Sequence, residues 1–323
     1  MRNLIIRSVF YCVMLHASTY FFLLAVGITC VTTAQAQDRN TGKIRVLIID
    51  GFNNHDWKQT TSVIKWMLEK TERFEVDTYT IPTDSIERDV WHIQFDKYAV
   101  IIQNTNNIHN PGLRWSERAE RELEKYVLNG GGLYILHSAN NAFPHWQEYD
   151  KMIGLGWRPN TVGYALEIDS KENVIRIPPG NGMGTGHGER FNALINILNR
   201  HPLNEGYPRQ WQTTDTEVYY FPRGPAENLT VLSYAYDSTR THKMWPVEWI
   251  VNYGRGRVYN SSLGHLWKGE FYPKAYRCIG FETTVVRVTE WLATEKVTYP
   301  IPENFPTKDS PSLRSEEEFM NTH

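Results

Sequence analysis

IRVLIIDGFNNHDW, Ile44 to Trp57, is the stretch whose reading decides the fold. The apolar run Val46 to Ile49 suits a strand covered on both faces of a parallel sheet. Asp50-Gly51 ends it and a polar loop follows. Asp56 is then placed to cap a helix whose apolar residues, Val63, Ile64, Met67 and Leu68, keep a helical period. In open α/β sheets ligands bind beyond the carboxyl ends of the strands, so this reading puts His55 and Asp56 on a reactive rim. Two later stretches repeat the arrangement. LYILHSAN (Leu133 to Asn140) and GRVYNSSLGHLW (Gly256 to Trp267) are apolar runs that deliver His137 and His265 at their ends.

Working outward, FEVDTY (74–79) and YAVII (98–102) read as further strands, the latter ending in the Asn-rich loop QNTNN. Ser116 to Leu128 reads as an amphipathic helix, capped by Ser116 and stopped by Asn129 and the glycines at 130–132. Strand and helix alternating through short links predict an α/β domain of three layers, doubly wound around a mostly parallel sheet. From Asn140 the pattern changes to an aromatic, Gly-rich insertion (NNAFPHWQEY, GLGWRPN), as expected of a cavity lining. GNGMGTGHGER (180–190) is a loop carrying His187; it lacks the Lys and the strand-to-helix setting of a phosphate-binding loop. TEVYYF and LTVLSYAYD look strand-like, Val247–Tyr253 and Arg257–Ser262 look like a hairpin, and a last helix falls within 275–293. The domain is expected over 37–298, with 299–323 as an extended or disordered tail.

The amino terminus reads as a signal peptide over residues 1–36. Arg2 and Arg7 precede an apolar stretch from Val9 to about Val31, and Ala34-Gln35-Ala36 offers a cleavage site. An uncleaved anchor is the alternative, since that stretch approaches the ~20 residues a spanning helix needs. Cleavage implies a periplasmic or secreted protein that no longer touches the membrane. Cys12 and Cys30 fall in this segment, leaving Cys278 alone, so neither a disulfide nor a Cys-based metal site is expected. A net charge of −2 with interspersed signs lacks a nucleic-acid footprint. The 11 Trp and 18 Tyr suit core packing, or sugar platforms where they lie on loops.

Taken together, GFNNHDWKQTT, GGGLYILHSANNAFPHWQEY, MIGLGWR, GTGHGER, RHPLNEGYP, RGPAEN and YGRGRVYNSSLGH resemble, in order, the trehalose-utilisation (ThuA-like) family over about residues 43–295. That resemblance implies a flavodoxin-like fold similar to class I glutamine amidotransferases, and a role in carbohydrate metabolism. The sequence departs from the family where Asp-Glu-aliphatic-Tyr is expected: Thr216-Glu217-Val218-Tyr219 stands there, with Asp215 one residue earlier. Amidotransferases of this fold carry a nucleophilic Cys on the turn after a central strand. Here that turn is Leu136-His137-Ser138-Ala139, so glutamine hydrolysis is not expected.

Two chemistries remain open for the histidines. His55, His137 and His265 could ligate a divalent ion such as Zn, although the spacing that marks a zinc enzyme is missing. Alternatively they serve, with Glu217, as acid/base groups in a polar pocket. A small carbohydrate would find hydrogen-bonding and aromatic partners in Asn54, Asp56, Asn140, Trp146, Trp157, His187, Arg190 and Trp267. The residues alone give a polar, histidine-rich pocket; the family resemblance implies a keto-sugar or 3-keto-glycoside lyase, hydrolase or isomerase. In such an enzyme, abstraction of a proton alpha to a ketone and protonation of a leaving oxygen would do without the paired carboxylates of ordinary glycosidases. The competing expectation is a carbohydrate-binding or scaffold protein without chemistry. Convergence of the imidazoles separates the two; oligomeric state is not legible.

Overall fold

The computed structural model describes residues 42–320, and the signal segment read at 1–36 lies outside the described residues. Strands Phe74–Thr80, Ile44–Asp50, Val100–Gln103, Gly132–Leu136 and Gly256–Ser261 lie side by side in that order, all parallel. The sheet continues antiparallel through Met244–Tyr253, Leu229–Tyr236, Leu194–Ile197 and Gln210–Gln212. The parallel part is the doubly wound core expected from the sequence, and the antiparallel part comes from the second half of the chain. Tyr164–Ile168 and Val174–Ile177 pair antiparallel.

The central strands are apolar throughout because successive residues serve opposite layers. Val46 and Ile48 join Val63, Ile64, Met67 and Leu68 of helix Trp57–Glu69, and Val285, Val286 and Leu292 of helix Ile279–Thr294, in one core. Leu47 and Ile49 join Leu123 and Val127 of helix Glu117–Leu128, and Met152 and Ile153 of Gln147–Ile153, in the other. Each such fully buried aliphatic side chain contributes about 1.5–3 kcal/mol.

The tail runs extended from the last long helix to a short helix, Glu316–Met320. It is tied down: Phe305 is buried against Tyr207 and Trp211, and Arg314 forms a two-pronged ion pair with the Glu282 carboxylate. No helix among the described residues is long and apolar enough to cross a membrane.

Candidate active site

Gly51 makes the first turn of the site possible. Its φ is +130°, and a Cβ there would lie 2.8 Å from both the N and O of Ile81. The chain then loops to Asp56, which caps the following helix by accepting from Gln59 N at 3.1 Å, while its own N–H reaches Leu266 O at 3.0 Å. Between them stands His55, whose orientation is set by a relay anchored in backbone. Ile108 N–H donates to Asn106 Oδ1, so Asn106 Nδ2 must donate to Asn54 Oδ1, at 2.7 Å. Asn54 Oδ1 is therefore an acceptor, and His55 Nδ1–H donates to it at 3.0 Å. The proton sits on Nδ1, and the Nε2 lone pair is left free.

His137 ends strand Gly132–Leu136 with φ +45°, a left-handed conformation uncommon for a residue with a Cβ. This sharp turn lifts the imidazole from the sheet edge. Its Nδ1 donates to Ser262 O at 2.8 Å, which again frees Nε2. The neighbouring Ser138 hydroxyl donates to Asn53 Oδ1 at 3.1 Å; its partner is an amide and not an imidazole. His265 follows strand Gly256–Ser261 and is fully buried. The three rings form a triangle, with centroids 5.0 Å (55–137), 4.9 Å (55–265) and 5.3 Å (137–265) apart. One nitrogen from each lies within 4.8 Å of the others. The Nε2 atoms of all three are buried without a hydrogen-bond partner.

Glu217 arrives from a different part of the chain. The expected strand around TEVYYF is reduced to Tyr219–Tyr220, because Thr213 and Thr216 bond the backbone of Ala193 and Phe191 instead and Asp215 and Phe221 turn with positive φ. Pairing of Tyr219 with His187 sets these two segments side by side. Glu217 Oε1 lies 3.1 Å from His265 Nε2 and 3.4 Å from His187 Nε2, and Oε2 lies 3.9 Å from His137 Nε2. The 3.1 Å approach is not aligned as a hydrogen bond. His187 Nδ1 donates to Gly188 O at 2.7 Å.

Burial dominates the electrostatics. It raises the Glu217 carboxyl to about 8, against the opposing pull of Arg190. It also pushes His55 down to about 3 and His265 to about 2, helped by the neighbouring imidazoles and Arg190. His137 is lowered well below the usual histidine range for the same first reason. The arrangement is thus a set of neutral imidazoles around a carboxyl that exchanges its proton near neutrality.

The other residues anticipated from sequence divide. Trp267 stacks on His55 at 4.5 Å and stays 40 % exposed. Trp157 meets both His187 and Tyr219 edge-on. Arg190 bonds Asp215 and His265, and pairs with Glu270 at 2.6 Å. Asn140 is buried in the elbow turn with neither side-chain atom bonded. One expectation changes. Trp146 packs in the core against Tyr149, with its indole N–H on Glu124, because the short helix beginning at Gln147 turns it inward. Asp56 commits Oδ1 to the helix cap, the role its position also suggested. Glu248 is held in the core by Ser233 and Tyr259. Sequence reasoning missed Asn106 as the orienter of Asn54, and Asp215 and Glu270 as the clamp on Arg190. For Asn106 the signal was present, since the Asn-rich loop leaves the same sheet edge.

The family model described as trehalose utilisation (ThuA) matches residues 45–281. A crystal structure of a ThuA-like protein from Parabacteroides merdae is 31% identical, with a TM-score of 0.78 over 85% of this chain and 98% of that one. A second ThuA-like structure, from Bacteroides uniformis, shares the fold at 16% identity and a TM-score of 0.51, over 79% of this chain and 94% of that one. No curated protein matches the chain. A family match over most of the domain, and a relative alike from end to end, place this chain in the ThuA-like, trehalose-utilisation family.

Proposed function

We propose that this is an exported enzyme acting on a small carbohydrate, most concretely a keto-sugar or 3-keto-glycoside, through Glu217 and the imidazoles of His55, His137 and His265. The observation that carries the reading is Glu217, a buried carboxyl ringed by the Nε2 atoms of His137, His187 and His265 and poised near neutral pH. A general acid/base works best when its pKa lies near the working pH. As carboxylate, Glu217 would take the proton from the carbon between ketone and anomeric centre. The C–H electron pair becomes the new C=C, the anomeric C–O bond breaks toward the departing oxygen, and that oxygen takes the proton back from Glu217, which returns to carboxylate. Trp267 and Trp157 would pack the C–H faces of the sugar. The imidazoles converge within one triangle, which favours an enzyme over a carbohydrate-binding surface. The sequence of residues 1–36 supports export.

The donor set also fits a divalent ion such as Zn. Neutral imidazoles and a carboxylate are its usual ligands, and the orphaned Nε2 atoms of His55 and His137 leave lone pairs for it. His55 and His137, each anchored through Nδ1–H as ligating histidines generally are, would hold it, with Glu217, 3.9 Å from His137 Nε2, as the neighbouring carboxylate. Such an ion, when bound, supplies Lewis-acid polarisation of a substrate oxygen. The test is metal analysis of the purified protein, followed by assay on 3-keto-disaccharides. E217Q should lower turnover by about 10²–10⁴-fold. Absence of turnover on any keto-sugar or glycoside, with or without added metal, overturns the reading.

A further inference from the structure

The four imidazoles of the site are not equivalent. His55, His137 and His187 each turn Nδ1 to an oxygen that can only accept: Asn54 Oδ1, Ser262 O and Gly188 O. All three therefore carry the proton on Nδ1 when neutral and offer Nε2 as a lone pair. His265 faces the opposite kind of partner. Its Nδ1 lies 3.2 Å from Nη1 of Arg190, a guanidinium that donates and never accepts. Arg190 has little freedom to leave, since Asp215 holds the same Nη1 at 3.2 Å and Glu270 holds Nη2 at 2.6 Å. Nδ1 of His265 must then be the acceptor, and the ring proton falls on Nε2.

We propose that Arg190 is a positioning residue that fixes His265 in the Nε2–H tautomer. On this assignment His265 is the cluster's hydrogen-bond donor to a substrate oxygen and not a third equivalent metal ligand. Its Nε2 is buried, lies 3.1 Å from Glu217 Oε1 without alignment, and has no other partner, so the N–H is available to a ligand. A neutral imidazole used in this way polarises an oxygen without transferring its proton, because Nδ1 is already occupied by a donor. Coordination through Nε2 would require that proton to move onto Nδ1, against Arg190. Any ion is thereby left to His55, His137 and Glu217, with His187 beside them; this last consequence rests on the proposed function, whereas the tautomer does not.

Histidine-selective ¹⁵N labelling of the metal-free full chain tests the assignment, since long-range ¹H–¹⁵N correlations distinguish the two neutral tautomers. The expected result is Nδ1–H for His55 and His137 and Nε2–H for His265. An Nδ1–H pattern at His265 overturns the proposal whether or not any variant folds. R190M should release His265 from its fixed tautomer and R190K, which restores a donor, should recover it; an R190M spectrum identical to wild type removes Arg190 from the argument. In zinc titrations H265N should still bind one ion per chain, weakened about 10–100-fold as for loss of an outer partner, whereas H137N should lose stoichiometric binding. Equal losses in the two variants count against the proposal. A wild-type protein that binds no metal defeats the metal reading and leaves the spectroscopic result to decide this one.

Discussion

Binding of a divalent ion should expel close to one proton from the site at neutral pH and almost none two pH units higher. The proton comes from Glu217, whose carboxyl burial raises to about 8. A group titrating there is roughly nine-tenths protonated at pH 7, half at pH 8 and one-tenth at pH 9, and a cation must displace whatever proton it finds. The imidazoles add nothing to the count, because His55 at about 3, His265 at about 2 and the strongly lowered His137 are already neutral. Below pH 8 the apparent affinity should therefore fall about tenfold, or ~1.4 kcal/mol, for each unit of acidification. Zinc calorimetry in buffers of different ionisation enthalpy reads the proton count directly. A count that is the same at pH 7 and pH 9, or one that E217Q leaves unchanged, would refute the placement of the proton on Glu217.

The metal-free protein should be most stable between the two titrations. The raised Glu217 carboxyl contributes stability that is full below 4.5 and lost as pH rises through about 8. The lowered His55 contributes stability that is full above 6.5 and lost as pH falls toward about 3; urea midpoints across this range check both slopes, and E217Q should flatten the alkaline one. Zinc at about 1,000 times its dissociation constant should stabilise the wild type by ~4 kcal/mol, seen as a rise in Tm, and should not stabilise H137A. G51A should cost more than ~2 kcal/mol, since strain at its positive φ adds to the clash with Ile81. G180A, with φ +84° but open space around it, should cost only the strain of about 1–2 kcal/mol; denaturant melts of the pair separate the two terms.

The layered core was legible because buried parallel strands announce themselves as apolar runs. Ile44–Asp50 and Gly132–Leu136 could hardly be read otherwise, and the rule that ligands gather at carboxyl ends then brought His55, His137 and His265 together before any coordinates. Less legible was everything set by non-local pairing. The two-residue ladder of Tyr219 with His187, which aligns Glu217 and His187, carries no local signature. Trp146 was misplaced for a related reason: an aromatic in a Gly-rich insertion can face a ligand or the core, and only the packing of Tyr149, Trp115 and Phe143 decides which. The Arg190 clamp joins residues 190, 215, 265 and 270 across three loops, beyond the reach of any periodicity argument.

His137 shows where local preference and the site conflict. A φ of +45° costs a residue bearing a Cβ on the order of 1–3 kcal/mol, and such strain persists only where the surroundings over-determine it. Here the Nδ1–H bond to Ser262 O holds the ring and the Ser138 bond to Asn53 holds the next residue. From this turn the chain presents an imidazole and no cysteine. The strain can be isolated by comparing H137A with H137G. Both remove the ring, but Ala keeps the Cβ that makes the turn costly and Gly does not. At ordinary positions Gly is the less stable of the two by roughly 0.5–1 kcal/mol. At this turn the order should reverse, with H137G more stable than H137A by ~1 kcal/mol in urea denaturation and neither variant active. If H137A equals or exceeds H137G, the turn is not strained, and His137 would then owe its place to ordinary packing and not to a demand of the site.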